Sequence, residues 1–273
     1  MAFQGDEELI GVELPKSLRV TRRGVVAHLT LVRAEKRNAL DDVTVLGLET
    51  FFTRLPKDVR AVVLTGEGDH FSAGLDLSEV SGERDPLDGV LHSRMWHRAF
   101  EAIQFGRTPV ITAMHGAVVG GGLELAAATH IRIAERSTYY GLPEGQRGIF
   151  LGGGGSVRIA RLIGVARVMD MMLTGRTLSA EEGHAAGVTQ YLVEEGKGLD
   201  KAMELAARAA SNTPTTNFAV LHALPRIVES DPASGLLTES LMASIAEMSP
   251  EAQRRLKDFL EKRAAKVLRQ ERD

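Results

Sequence analysis

Two short runs, 61–65 (AVVLT) and 110–114 (VITAM), hold β-branched and apolar residues with no charged side chain among them. Runs of this length between turn-forming segments read as buried strands. Helical spacing separates them. In 39–55 the apolar residues Val43, Leu46, Leu48, Phe51, Phe52 and Leu55 recur at helix intervals, and the pattern stops before Pro56. The segment 90–105 reads the same way, while 25–31 (VVAHLTL), 131–134 and 188–193 read as further strands. Strands alternating with helices place the chain in the α/β class. From residue 199 onward the pattern is helical, with breaks near Pro214, Pro232 and Pro250. The expected division is a polar leader over 1–18, an α/β core over 19–213 and a helical part over 214–273.

Composition narrows the function. The net charge of −3 gives no basic field for a phosphate backbone, so nucleic acid is not an expected partner. The chain has no cysteine, which removes thiolate catalysis, disulfides and cysteine-based metal sites. Four acidic residues precede the first lysine, no basic leader is present, and no window reaches the ~20 apolar residues of a membrane span. A cytoplasmic protein without membrane attachment is expected.

Three glycine-rich places lie close after expected strands: FSAGLDL (71–77), VVGGGLEL (118–125) and LGGGGS (151–156). Each reads equally as a tight turn or as a place where backbone approaches a ligand. Gly120-Gly121-Gly122 lacks the third spaced glycine of a dinucleotide fingerprint, no phosphate loop occurs, and His70-Phe71-Ser72-Ala73-Gly74 lacks the first glycine of a nucleophile elbow. The eight histidines are scattered, and no metal site is expected. Gly121 falls at an expected helix N-terminus, where free N–H groups favour negative charge. Glu124 follows one turn later in an apolar stretch, where an ionised carboxylate is costly unless paired or shifted. On the residues alone Glu124 can equally face solvent or cap the first turn, and Glu144, after Pro143, can be an ordinary loop acid.

The combination resembles the crotonase superfamily, the enoyl-CoA hydratase/isomerase proteins. The resemblance rests on KRNAL (36–40), FSAGLDL (71–77), HGAVVGGGLELA (115–126), YGLPEGQRGIFLGGGGSVRIARLIG (140–164), LTGRTLSAEEGHAAGVTQYLV (173–193) and FLEKR (259–263), in order along the chain. It implies a spiral of ββα repeats with a C-terminal helical trimerisation region, and assembly as a homotrimer or dimer of trimers. It implies that the N–H groups of Leu75 and Gly121 hold the thioester oxygen, and that Glu124 and Glu144 are the two acids of a hydratase. It further implies coenzyme A contacts from Lys36, Arg37, Ala39, Ala73, Gly74 and Asp76, with Arg33 nearby. Leu142 and Gly152 are expected beside the acyl group, and Phe259 and Lys262 are expected to reach a neighbouring subunit's site. Coenzyme A enters as part of the substrate, and no separate cofactor is implied.

The chain departs from the family pattern at Leu151, where a proline is usual, at Leu142, which replaces a polar residue, and at Gln253-Arg254-Arg255. The activity implied is hydration of a 2-enoyl-CoA to a 3-hydroxyacyl-CoA and its reverse. The alternatives are another crotonase-type reaction (enoyl isomerisation, thioester hydrolysis or C–C cleavage) and a non-catalytic acyl-CoA- or RNA-binding scaffold.

Overall fold

The structure, a computed structural model, describes residues 7–8, 13–80, 85–261 and 263. The chain forms two compact units that meet in sequence at Ser211 and Asn212.

The first unit carries β1 (Glu7–Glu8), β2 (Leu18–Arg23), β3 (Val26–Leu31), α1 (Asp42–Thr53), β4 (Ala61–Gly66), α2 (Pro86–Gln104), β5 (Val110–Met114), β6 (Ala117–Val119), α3 (Gly121–Ala127), β7 (Ile131–Glu135), β8 (Tyr139–Gly141), α4 (Gly155–Ile163), α5 (Val165–Thr174), β9 (Leu178–Ser179), α6 (Ala180–Ala186), β10 (Tyr191–Val193) and α7 (Gly198–Ser211). Seven strands form one sheet in the order β1-β2-β3-β4-β5-β7-β10. Its first two pairings are antiparallel and the rest parallel. Alternate residues of β4 explain why AVVLT shows no polar face. Val63 packs with Ile111 and Ile133 beneath Ala202, Leu205 and Ala206 of α7, while Val62 and Leu64 enter the main core with Phe51, Phe71 and Phe100.

A second sheet, β6-β8-β9, has three strands. Its axis continues as single bridges, Ser72 beside Val118 and Leu40 beside Leu75, both parallel. Each turn of the chain therefore adds one strand to the large sheet, a short extended piece to the small one, and then a helix. The turns are β3–Leu40–α1, β4–Ser72–α2, β5–β6–α3 and β7–β8–α4. This is the crotonase-type spiral.

The stretch expected to be a loose leader contains β1, which pairs Glu7 with Arg22 and Glu8 with Thr21. An edge strand adds by backbone hydrogen bonds alone, so it leaves no apolar signature. Leu18, at the end of that stretch, is core. Gly164 separates α4 from α5, and Ser179 and Glu182 make the reciprocal cap of α6.

The second unit holds α8 (Pro214–Phe218), α9 (Leu224–Glu229), α10 (Pro232–Glu247) and α11 (Pro250–Leu260). The prolines read as breaks are helix starts. Pro214, Pro232 and Pro250 follow the capping side chains of Thr213, Asp231 and Ser249, the position where a missing N–H is harmless. On α10, Leu236, Leu237, Leu241 and Ile245 are all more than half exposed. No helix among the described residues is long and apolar enough to cross a membrane.

Candidate active site

The spiral brings successive turns together at one cavity of about 310 Å³, walled by Leu75, Trp96, Gly121, Glu124, Glu144 and Phe150 among others. Leu75 leaves the small-sheet piece of the second turn. Its neighbours are fixed by Leu40 N–H donating to Gly74 O at 2.8 Å and Asp76 N–H to Leu40 O at 2.8 Å. Those bonds leave the Leu75 N–H facing the other way, with no partner among the described residues. Gly121 opens α3, and its N–H is one of the orphan donors of a helix start.

The two nitrogens are neighbours because Gly74 has no side chain. A Cβ there, at φ +90°, would lie 2.5 Å from Val119 O and 3.0 Å from Gly121 N. Two adjacent unpartnered N–H groups on a cavity wall are an oxyanion site in form.

Glu124 is buried, at 3% exposure. Neither of the two bland readings from sequence holds, because its Oε1 accepts from Gly153 N–H at 2.9 Å and Gly155 N–H at 2.7 Å. Burial pushes its carboxyl up to about 7; the Gly155 and Gly153 N–H groups and the Arg158 guanidinium oppose the shift, and Glu144 adds to it.

Glu144 is also buried, after β8, and its Oε2 has no hydrogen-bond partner among the described residues. Burial raises its carboxyl too, against its own backbone N–H and the nearby Arg147. A buried carboxyl oxygen without a donor is expensive unless it carries a proton or meets a polar ligand. The pair is thus two acids of raised affinity for protons, beside two idle N–H donors.

The family Enoyl-CoA hydratase/isomerase matches this chain over residues 21–269. The chain belongs to that family. A solved chain from Rhodopseudomonas palustris CGA009 is 56% identical, with a TM-score of 0.89 and coverage of 93% of this chain and 98% of the other. The crystal structure of an enoyl-CoA hydratase from Bacillus anthracis is 31% identical, with a TM-score of 0.85 and coverage of 91% and 97%. The short-chain-enoyl-CoA hydratase of Clostridium acetobutylicum is 30% identical over 245 residues, covering 89% of this chain and 94% of that protein.

The remaining family-implied contacts fall into three groups. Ala73 and Gly152 line the cavity, and Gly152 O accepts from Ser93 Oγ at 2.5 Å. The KRNAL segment is mostly occupied in holding the Leu75 loop. Arg37 O accepts from Ala73 N–H at 2.9 Å. Arg33 binds Ala39 O at 2.7 Å, Asp76 at 2.9 Å and Asp41 at 3.0 Å. Asp76, also bonded by Lys36 at 3.1 Å and by Ser78, is held well below the usual carboxylate range by those partners. Asp76 is therefore a clamp for the loop in this structure, and Lys36, half exposed, keeps donors free for a phosphate.

The third group lies elsewhere. Leu142 is core, 1% exposed, and Leu151 is core at 7%. Neither lines the cavity, contrary to the expectation for Leu142; the wall in this stretch comes instead from Ile149, Phe150, Gly152 and Gly153. An apolar side chain in a glycine-rich turn can turn inward to the core as easily as toward a cavity, and the sequence cannot separate the two. Phe259 is exposed on α11, and Lys262 lies outside the described residues.

Four wall residues on α2 escaped the sequence reading. They are Gly89, His92, whose Nε2 is 2.7 Å from Asp42 Oδ1, Ser93, and Trp96, which stacks edge-on against Phe100 at 5.6 Å. The single tryptophan on a helix between two buried strands was the available signal.

Proposed function

We propose that the protein catalyses reversible syn hydration of a 2-enoyl-CoA to a 3-hydroxyacyl-CoA. The observation that carries this reading is that two buried glutamates, Glu124 and Glu144, share one cavity with the unpartnered N–H groups of Leu75 and Gly121.

The thioester oxygen accepts from both N–H groups, which polarises the double bond and holds the negative charge that grows as water adds. Each such donor is worth on the order of 10²–10³ in rate. Water lies between the carboxyls. Glu124, in the ionised form that two peptide N–H groups favour against its burial, takes a proton from the water as its oxygen bonds to C3. The enolate collapses as Glu144 gives its proton to Cα. One proton has left water for Glu124 and one has left Glu144 for carbon, so a single transfer between the acids restores the start. Dehydration runs the same steps backwards, and neither direction calls for a cofactor beyond the coenzyme A of the substrate.

The family relatives named above support hydration, and the presence of both acids favours it over isomerisation, hydrolysis or C–C cleavage. A homotrimer or dimer of trimers built through the second unit would cover the exposed leucines of α10. Light scattering tests that state, and fractionation tests the cytoplasmic location.

The decisive assay follows loss of conjugated thioester absorbance across short, long and aromatic enoyl-CoA esters. Glu124→Gln and Glu144→Gln should each lower kcat by about 10²–10⁴. Near-wild-type rates in both folded variants would end the hydratase reading.

A further inference from the structure

Glu124 is not held by its own helix alone. The residues that grip its carboxyl, Gly153 and Gly155, flank the start of α4, and the turn they form is fixed from behind by one side chain. Arg158 Nη1 donates to Gly153 O at 3.0 Å, and its Nε donates to Gln104 Oε1 of α2 at 2.7 Å. Gly153 N–H in turn donates to Glu124 Oε1. The fit is close: a Cβ on Gly154 would fall on Arg158 Nη1, and one on Gly153 would come within 3.0 Å of Glu124 Oε2. Arg158 is half-buried and is not part of the cavity wall.

We infer that Arg158 is the positioning residue for Glu124, spanning Gln104 and the Gly153 carbonyl so that the Gly153 N–H stays aimed at the carboxylate, with its own charge set behind that carboxylate. The inference rests on the hydration role given to Glu124 above. Two effects are separable. The bidentate span fixes geometry, because a planar guanidinium holds its donors in a rigid fork, whereas an ammonium is a compact charge on a flexible stem. The positive charge favours the ionised acid.

The other titratable groups at the site are Arg147 and His92, which line the same cavity, and His97 of α2 beside Gly154. Glu144 faces Glu124 from the loop after β8 and opposes its ionisation. Around Arg158, Glu101 of α2 attracts its charge and Arg161 of α4 repels it. Arg158 is therefore a cation that favours the ionised form of Glu124.

The test compares Arg158→Met, Arg158→Lys and Gln104→Leu. In Arg158→Met, kcat on an enoyl-CoA should fall by about tenfold or more while KM stays within about twofold, because a misplaced group costs rate rather than binding. The acid limb of its kcat–pH profile should move to higher pH. Arg158→Lys keeps the charge and should leave that limb in place while kcat still falls. Gln104→Leu frees one end of the guanidinium and should lower kcat without moving the limb.

A second readout is independent of turnover. Infrared titration of the Glu124 carboxyl stretch, identified by its loss in Glu124→Gln, should move upward in Arg158→Met. Folded Arg158→Met with kcat within about twofold of wild type and an unmoved titration overturns the inference. If Arg158→Met does not fold, unchanged kcat in both other variants overturns it. If the wild-type chain turns over no enoyl-CoA, the hydration reading fails and the infrared titration alone decides the fate of Arg158.

Discussion

Replacing Gly121 by alanine adds one methyl at the point where the two idle N–H groups meet. The new Cβ would lie 2.8 Å from Trp96 Cζ3 and 3.2 Å from Leu75 N. The first contact forces the indole or the start of α3 to shift. The second crowds the space an accepted oxygen needs. Loss of one oxyanion donor costs about 10²–10³ in kcat, or about 2.7–4 kcal/mol. Overpacking a close-fitting site costs roughly 1–3 kcal/mol of stability, against about 5–15 kcal/mol for a typical domain, so the variant should remain folded. The assay is kcat/KM for crotonyl-CoA by loss of thioester absorbance, with urea unfolding run alongside. A folded Gly121→Ala protein within about threefold of the wild-type kcat/KM would refute the assignment of Leu75 and Gly121 as the oxygen-binding pair.

Other perturbations follow from the same geometry. Glu124 has a folded pKa of about 7 against an ordinary 4.5, so the folded state binds the extra proton between those values. Its burial therefore weighs on stability progressively as pH rises through that window and fully above it, by about 3 kcal/mol as an order of magnitude. Glu124→Gln should stabilise the fold more at pH 8 than at pH 5 by urea unfolding; an equal effect at both would contradict the shift. Asn38 sits at φ 53° and is buried; it accepts from Arg33 N–H and donates to Glu67 O and His70 O. Asn38→Ala should cost about 2–4 kcal/mol, and a loss in the urea midpoint too small for that would show the turn is held otherwise. Gly89 lies in α2, and a Cβ added there would meet nothing within 4 Å. Gly89→Ala should therefore raise stability by about 0.5–1 kcal/mol, read as a higher Tm.

The sequence made the long elements and Glu124 legible, for different reasons, while Glu144 stood out only through the family motif. AVVLT and VITAM are buried on both faces, so their composition alone announces the large sheet. The small sheet was invisible, because its pieces are single bridges at Leu40 and Ser72 and strands of two or three residues, too short to show a period. Glu124 stood out because a carboxylate among leucines and alanines needs a reason. That reason, peptide donors from 153 and 155, is about thirty residues distant and has no local signature. The coenzyme contacts were read from motif alone. In the structure most of the charges in that motif prove to be spent on each other, with Arg33 and Lys36 both converging on Asp76.

Because the pocket draws on consecutive turns of the spiral, it has no partial form. A growing chain on the ribosome that ends before β8 owns both idle amides but no Glu144, and one that ends before Gly153 leaves the Glu124 carboxyl without its donors. Each turn closes by pairing segments far apart in sequence, a topology whose non-local contacts slow folding. Proteolytic nicking or local melting anywhere from β4 to α4 should extinguish turnover together with the native state. Enzyme activity would then serve as a sensitive gauge of how much of the population is correctly wound.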